Sequence, residues 1–210
     1  LGTPAVVRLH GLIEALVSGE TVVIDGTEGL LIQRPSEETL ARYRQLEAQT
    51  EARDDLLQAS AYQPAITTDG RSIRVGANGE FIDELEFIVD SGAEEVGLFR
   101  TEFVYLEDPD ASEEALTALY TQVVQRLAPR PVIFRTLDLG GDKLDPLLAA
   151  EPEPNPFLGW RGIRVSLGRP EFFKRQLRAL LRASCHGPIG IMFPMVCGVE
   201  EVIAAKAVLA

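Results

Sequence analysis

Glu95-Val-Gly-Leu-Phe-Arg-Thr-Glu-Phe103 and, further along, Pro131-Val-Ile-Phe-Arg-Thr136 each carry an apolar, strand-like run into an arginine at the point where a polar turn begins. Between them, Glu113 to Leu127 reads as a helix, and the alternation extends outward on both sides. Towards the N terminus, Ser72 to Ala77 reads as a strand and Ile82 to Ser91 as a helix. Towards the C terminus, Pro170 to Ser184 reads as a helix, Ile189 to Phe193 as a strand, and a further helix starts near Val199. Strands and helices in regular succession imply parallel pairing through right-handed crossovers. The expected class is therefore α/β, with four βα units forming the first half of a (β/α)8 TIM-type barrel; a full barrel takes eight units and roughly 250 residues. The last helix runs straight into Ala210, so the chain is expected to be cut there.

The stretch before Pro64 has a different texture. Pro4-Ala-Val-Val7 reads as a short apolar strand, and Thr21 to Ile32 as two strands around a turn from Asp25 to Gly29. A few strands in so short a piece cannot close a core, so residues 1–35 are expected to be the C-terminal remnant of a β-rich domain whose remainder lies upstream. Ser36 to Ala61 is rich in Glu, Arg, Gln, Ala and Leu and contains neither Gly nor Pro. Ser36 suits the N-cap and Glu38 the positive end of a helix. Residues 36–63 are thus expected to be a helical linker with a solvated, mixed-charge face, and residues 64–210 the barrel half.

With 46% hydrophobic residues in 210, the chain can bury a real core. Its 20 basic against 32 acidic side chains leave a formal charge of −12, a field that repels polyanions and argues against nucleic-acid binding. No apolar run approaches the roughly 20 residues that span a bilayer, and the start lacks the basic-then-apolar layout of a signal peptide, so no membrane association and a cytoplasmic location are expected. Cys185 and Cys197 form no CxxC and stand near no clustered histidines, which favours small packed residues over zinc ligands or a disulfide. Met192, Phe193 and Met195 end a strand and read as core or mouth lining.

Candidate binding residues gather at the strand ends, where the loops of an α/β barrel converge on one mouth. Arg100 and Arg135 meet that criterion, and so does Lys143 in the loop Gly140-Gly-Asp-Lys143. A guanidinium is always charged and presents a planar fork of donors, so several at one mouth suit a ligand carrying phosphate and carboxylate groups. Each also has a plain structural explanation, an ion pair of Arg100 with Glu102 and of Arg135 with Asp138. The recurrence of Arg-Thr followed by an acid at two successive strand ends favours a shared anion site. Arg161, next to Trp160, either adds a third cation or stacks on an aromatic face. No G-x-x-x-x-G-K-[ST] or G-x-G-x-x-G occurs, so no nucleotide fingerprint supports the glycine pair. His10 and His186 sit in contexts that suggest no general base, and His186 suits the negative end of a helix.

Four blocks, Gly97 to Phe103, Phe134 to Lys143, Asn155 to Arg164 and Ile191 to Val196, resemble in order and spacing enzyme I of the bacterial phosphoenolpyruvate-dependent sugar phosphotransferase system. The resemblance covers the whole chain. It implies a phosphotransferase in which phosphoenolpyruvate, held with Mg²⁺ in a barrel, phosphorylates a histidine that passes the group to the carrier HPr. It further implies a homodimer. Arg100 and Arg135 match the family's arginines on the transferring phosphoryl group, while Lys143 and Arg161 match further positions near the mouth. The family's histidine lies in a G-x-T-S-H context expected just upstream of Leu1. Its two acidic Mg²⁺ ligands and acid cysteine come from strands expected beyond Ala210, so the chain alone is expected to be inactive, with no catalytic or metal-binding residue of its own. Pyruvate phosphate dikinase and phosphoenolpyruvate synthase share the arginine pattern and form the enzymatic alternative. A non-catalytic anion-binding module is the alternative of another class.

Overall fold

Four strands, β5 (Gly76–Gly79), β6 (Glu95–Arg100), β7 (Val132–Arg135) and β8 (Ile189–Met192), pair in chain order as one parallel sheet in a computed structural model that describes residues 3–139, 155 and 158–210. Sequential order with every pair parallel requires a crossover after each strand, as the alternating pattern demands. The chain divides into two compact units, Leu1–Ser60 and Ala61–Ala210.

In the first unit a short helix α1 (Leu12–Ala15) precedes a hairpin of β1 (Val22–Asp25) and β2 (Leu30–Gln33). The hairpin is antiparallel, with Val22 opposite Gln33 and Asp25 opposite Leu30. Asp25 closes its turn by accepting the N–H groups of Thr27 and Glu28 at 3.0 and 2.9 Å, and these bonds hold its carboxyl below the usual range. The strand expected at Pro4–Val7 does not form. Proline has no N–H for a ladder, Val7 stays 80% exposed, and the segment instead passes over the hairpin turn at Gly26, where an added Cβ would meet Ala5 backbone at 3.3 Å. Helix α2 (Glu37–Ser60) starts where its cap predicts, with Ser36 Oγ accepting the Thr39 N–H at 3.2 Å. No residue of α2 is buried, in keeping with its loose periodicity.

The second unit departs from expectation at its start. Ser72 to Ala77 is not one strand: β3 (Ala65–Ile66) and β4 (Ser72–Ile73) make a small antiparallel hairpin, and sheet pairing begins only at Gly76. Gly76 explains the shift, since a Cβ there would stand 3.1 Å from the Gly97 nitrogen of β6, so only glycine lets the strands approach. A 3₁₀ turn (Ile82–Glu84) leads into α3 (Leu85–Asp90). Two short helices escaped the periodicity reading, α4 (Glu102–Glu107) and α6 (Ile163–Gly168), since six residues are too few to show a repeat.

The core lies between the sheet and helices α5 (Glu113–Leu127) and α7 (Pro170–Ala183). On α5, Leu116, Tyr120, Val123, Val124 and Leu127 are buried, a stripe at helical spacing. Ser112 caps the helix by accepting the Ala115 N–H at 3.1 Å. Phe134 of β7 meets Phe99 and Tyr120 with ring centroids 5.3 and 5.2 Å apart. Helix α8 (Val199–Leu209) buries Ala205 and leaves Val199 and Ile203 more than half exposed. Phe193 packs edge-on to Phe173 at 5.9 Å, so that member of the Met192, Phe193, Met195 group is core. Cys185 and Cys197 are both exposed, contrary to the packed role expected of them: one lies in the turn after α7 and the other in the loop before α8, beyond the cover of the helices. Among the described residues no helix is long and apolar enough to cross a membrane.

Candidate functional site

The sheet register sets Arg100 directly beside Arg135 at the C-terminal ends of β6 and β7. Adjacent strands lie about 4.8 Å apart, so two residues far apart in sequence become nearest neighbours on one edge. Thr101 ties the strand ends together, its Oγ1 donating to the Arg135 carbonyl at 2.8 Å. The Thr136 N–H donates to the Met192 carbonyl at 3.0 Å, joining β8 to the same edge.

Beyond the strand ends the arginines meet two acids. Glu102 Oε1 accepts from Arg135 Nε at 3.1 Å, lies 2.9 Å from its Nη2, and also accepts the Asp138 N–H at 3.0 Å. Asp138 Oδ2 lies 3.1 Å from Arg135 Nη1, while its Oδ1 lies 3.1 Å from both Nε and Nη2 of Arg161. Side-chain exposure is 20% for Arg135, 21% for Arg161, 10% for Glu102 and 7% for Asp138, so among the described residues these two carboxylates and two guanidiniums form a largely desolvated network. Desolvated charges persist only when paired in good geometry, and removal of one member strands its partner.

Arg100 stands apart. Its expected pairing with Glu102 is not made, because Glu102 turns to Arg135; Arg100 instead reaches Glu80 at the end of β5, at 3.6 Å, with 45% of its side chain exposed. The expected Arg135–Asp138 pair does form. Arg161 joins the mouth through Asp138, and Lys143 lies outside the described residues, as does the Gly140–Gly141 pair.

Two residues that the sequence did not single out hold this arrangement. Gln176, wholly buried on α7, donates through Nε2 to Thr101 Oγ1 at 3.0 Å and to Tyr120 Oη at 3.3 Å, and its Oε1 accepts the Leu137 N–H at 3.2 Å. One amide thus links both strand ends to both core helices. The signal was a glutamine within an apolar stripe, Phe173, Gln176, Leu177, Leu180, Ala183. Arg164 is the second: it donates to the carbonyls of Gly159 at 2.7 Å, Leu158 at 2.9 Å and Met195 at 3.1 Å, clamping the loop that carries Arg161 onto the loop after β8. Gly162 completes that contact at φ 58°, where a Cβ would come within 3.0 Å of Met195.

Electrostatics reinforce the buried polar centre. Burial pushes the Tyr120 phenol up to about 12, and burial also raises Tyr105 well above its ordinary value. Both hydroxyls therefore stay protonated at neutral pH. Among the described residues, no group of three or more His, Cys, Asp or Glu side chains could hold a metal ion. His186 precedes β8 and so belongs to the opposite end of the parallel sheet from Arg135; its ring Nδ1 is 3.4 Å from Gln125 Nε2.

A strand-end mouth of this kind on a parallel α/β sheet defines a class, and residues 54–210 match the family model described as PEP-utilising enzyme, PEP-binding domain; the chain belongs to that family. It is 40% identical to the phosphoenolpyruvate-protein phosphotransferase of Staphylococcus carnosus (strain TM300) over 210 residues, all of this chain and 37% of that protein. The phosphoenolpyruvate-protein phosphotransferase of Bacillus subtilis (strain 168) matches equally, at 40% over 210 residues, again all of this chain and 37% of that protein. The multiphosphoryl transfer protein of Rhodobacter capsulatus is 40% identical over 210 residues, 99% of this chain and 25% of that protein. The chain therefore spans 37% of the length of the first of these curated relatives.

Proposed function

We propose that this chain is part of a phosphoenolpyruvate-protein phosphotransferase and supplies the phosphoryl-binding side of its phosphoenolpyruvate site. The observation that carries this reading is the register of Arg100 against Arg135 at one strand-end edge, with Arg161 drawn to the same place through Asp138. Guanidiniums gathered at one strand-end edge would neutralise charge on the equatorial oxygens of a phosphoryl group in a loose transition state. Arg100, the most exposed of the three, would meet the ligand first. Arg135 and Arg161 would supply a fixed second wall, and Lys143 a point charge from the neighbouring loop.

Several finer parts of the reading belong with this proposal. Residues 64–210 would form the first half of a TIM-type barrel, residues 36–63 the helical linker, and residues 1–35 the end of a phosphohistidine domain. The acceptor would be a histidine supplied from that domain, which would pass the group on to HPr in the cytoplasm, as the first step of sugar uptake by a homodimer. His186, at the far end of the sheet, is unsuited to that role. Mg²⁺ would not be held by Glu102 and Asp138 as they stand. Both oxygens of Asp138 and Oε1 of Glu102 are committed to guanidiniums, which leaves a single carboxylate oxygen for an ion that takes near-octahedral oxygen coordination.

The test is phosphorylation from labelled phosphoenolpyruvate in a full-length protein carrying this segment. Arg100→Ala and Arg135→Ala should each lower the rate by about 10²- to 10³-fold, the scale for loss of one preorganised charge-stabilising group. Rates within a few-fold of wild type for both variants would refute the assignment.

A further inference from the structure

We infer that Asp138 and Glu102 are positioning residues that hold Arg135 and Arg161 as one rigid fork; the inference rests on the phosphoryl-binding reading above. Two acids face two arginines, but they are not matched one to one. Here Asp138 is divided between two, with Oδ2 on Arg135 and Oδ1 on Arg161, all at 3.1 Å. Its carboxylate therefore acts as a spacer that fixes the separation and mutual angle of the guanidiniums.

Glu102 fixes the spacer in turn. The same Oε1 that receives the Arg135 side chain receives the main-chain N–H of Asp138. A shift of Arg135 would thus disturb the backbone that carries Asp138, and through it Arg161. Glu102 concentrates three contacts on that one oxygen, while among the described residues its Oε2 has no hydrogen-bond partner.

The sequence supports the same division of labour. Glu102 follows Arg100-Thr101, and Asp138 follows Arg135-Thr136-Leu137, so each arginine-bearing strand end brings its own acid. The fold crosses them, with the acid of β6 serving the arginine of β7. Long, flexible guanidiniums that must be ordered when a ligand arrives lose binding free energy to entropy; guanidiniums already held lose less.

The experiment is steady-state phosphorylation in a full-length protein carrying this segment, with kcat and KM for phosphoenolpyruvate measured for Asp138→Asn, Glu102→Gln, Glu102→Ala and Arg135→Ala. Asparagine keeps the shape of Asp138 but offers an acceptor oxygen to only one arginine. Asp138→Asn should lower kcat about tenfold or more while KM stays within about threefold, the signature of lost transition-state geometry. Charge alone predicts the opposite, since removing an acid beside two arginines should tighten anion binding and lower KM. Glutamine at 102 keeps an acceptor oxygen for Arg135 and for the Asp138 N–H but removes the negative charge. Glu102→Gln should therefore lose clearly less activity than Glu102→Ala, and Glu102→Ala should fall with Asp138→Asn.

An unchanged kcat in Asp138→Asn, or a lowered KM with unchanged kcat, would overturn the inference, and so would equal impairment of Glu102→Gln and Glu102→Ala. Should Glu102→Ala fail to fold, the contrast between the near-isosteric Asp138→Asn and Glu102→Gln still decides. Arg135→Ala separates the two levels. If it is as active as wild type, the phosphoryl-binding reading fails; if it is inactive while Asp138→Asn is unimpaired, only the positioning role fails.

Discussion

Replacing Gln176 with methionine keeps nearly the same volume in the core but removes the three hydrogen bonds that its amide makes at the junction of β6, β7, α5 and α7. Three groups lose a partner: the Leu137 N–H, Tyr120 Oη and Thr101 Oγ1. Thr101 loses least, because its hydroxyl still donates to the Arg135 carbonyl. The Leu137 amide and the Tyr120 hydroxyl bear the main cost, each an unmet buried polar group at roughly 1–3 kcal/mol, or about 2–6 kcal/mol together. Against a domain stability of about 5–15 kcal/mol this is large, and it falls on the segment that sets Arg135. Amide hydrogen exchange read by mass spectrometry on the peptide containing Leu137 is the direct assay, because it reports local opening where a whole-protein melt would average over domains. The expected result is exchange faster by about 30-fold to about 20,000-fold in Gln176→Met, at 1.4 kcal/mol for each factor of ten. Phosphoryl transfer should fall alongside it. Leu137 exchange within about threefold of wild type would show that the amide carries no such load, and the account of how the strand ends are joined would be wrong.

Two further outcomes are expected. A Cβ at Gly168 would stand 2.4 Å from Trp160 Cη2, so Gly168→Ala should unseat the indole beside Arg161; Trp160 fluorescence should shift to the red, and an unshifted spectrum would contradict the packing. Glu201 accepts the N–H groups of Cys197 and Gly198 at the start of α8, and the Cys197 bond foremost holds its carboxyl below the ordinary 4.5. A carboxyl depressed in the folded state stabilises it above the ordinary value, and that stabilisation is lost as pH falls through the lower folded value. The Tm gap between wild type and Glu201→Gln should thus be fullest near neutrality and close on acidification below 4.5; a gap independent of pH would refute it.

Helices α2, α5, α7 and α8 and strand β6 were legible because their signals are local. Ser36 and Ser112 cap as serines do, Pro170 opens α7, and the buried stripe of α5 repeats at helical spacing. The parallel order of the sheet followed from the alternation of those elements. The sequence also placed Arg100, Arg135 and Arg161 among the candidates for one anion, from residue type and from position at the strand ends.

Which acid meets which arginine was legible only in part: the expected Arg135–Asp138 pair forms, and the expected Arg100–Glu102 pair does not. Adjacency in the chain suggested Arg100 with Glu102, but the register brings Arg135 alongside, and Glu102, first residue of α4, points to the neighbouring strand end. Gln176 looked like an interruption of an apolar face until the fold brought it against Thr101, Tyr120 and Leu137. The cysteines looked like packed residues because small apolar side chains usually are, yet both fall in loops. By itself, then, the sequence determined the longer helices, the order of the sheet strands and the chemistry available at the mouth, since caps, periodicity and residue type act within a few residues. The tertiary structure alone decided the long-range pairings, because a hydrogen bond or ion pair between residues dozens of positions apart depends on strand register and helix placement, which the whole core sets at once.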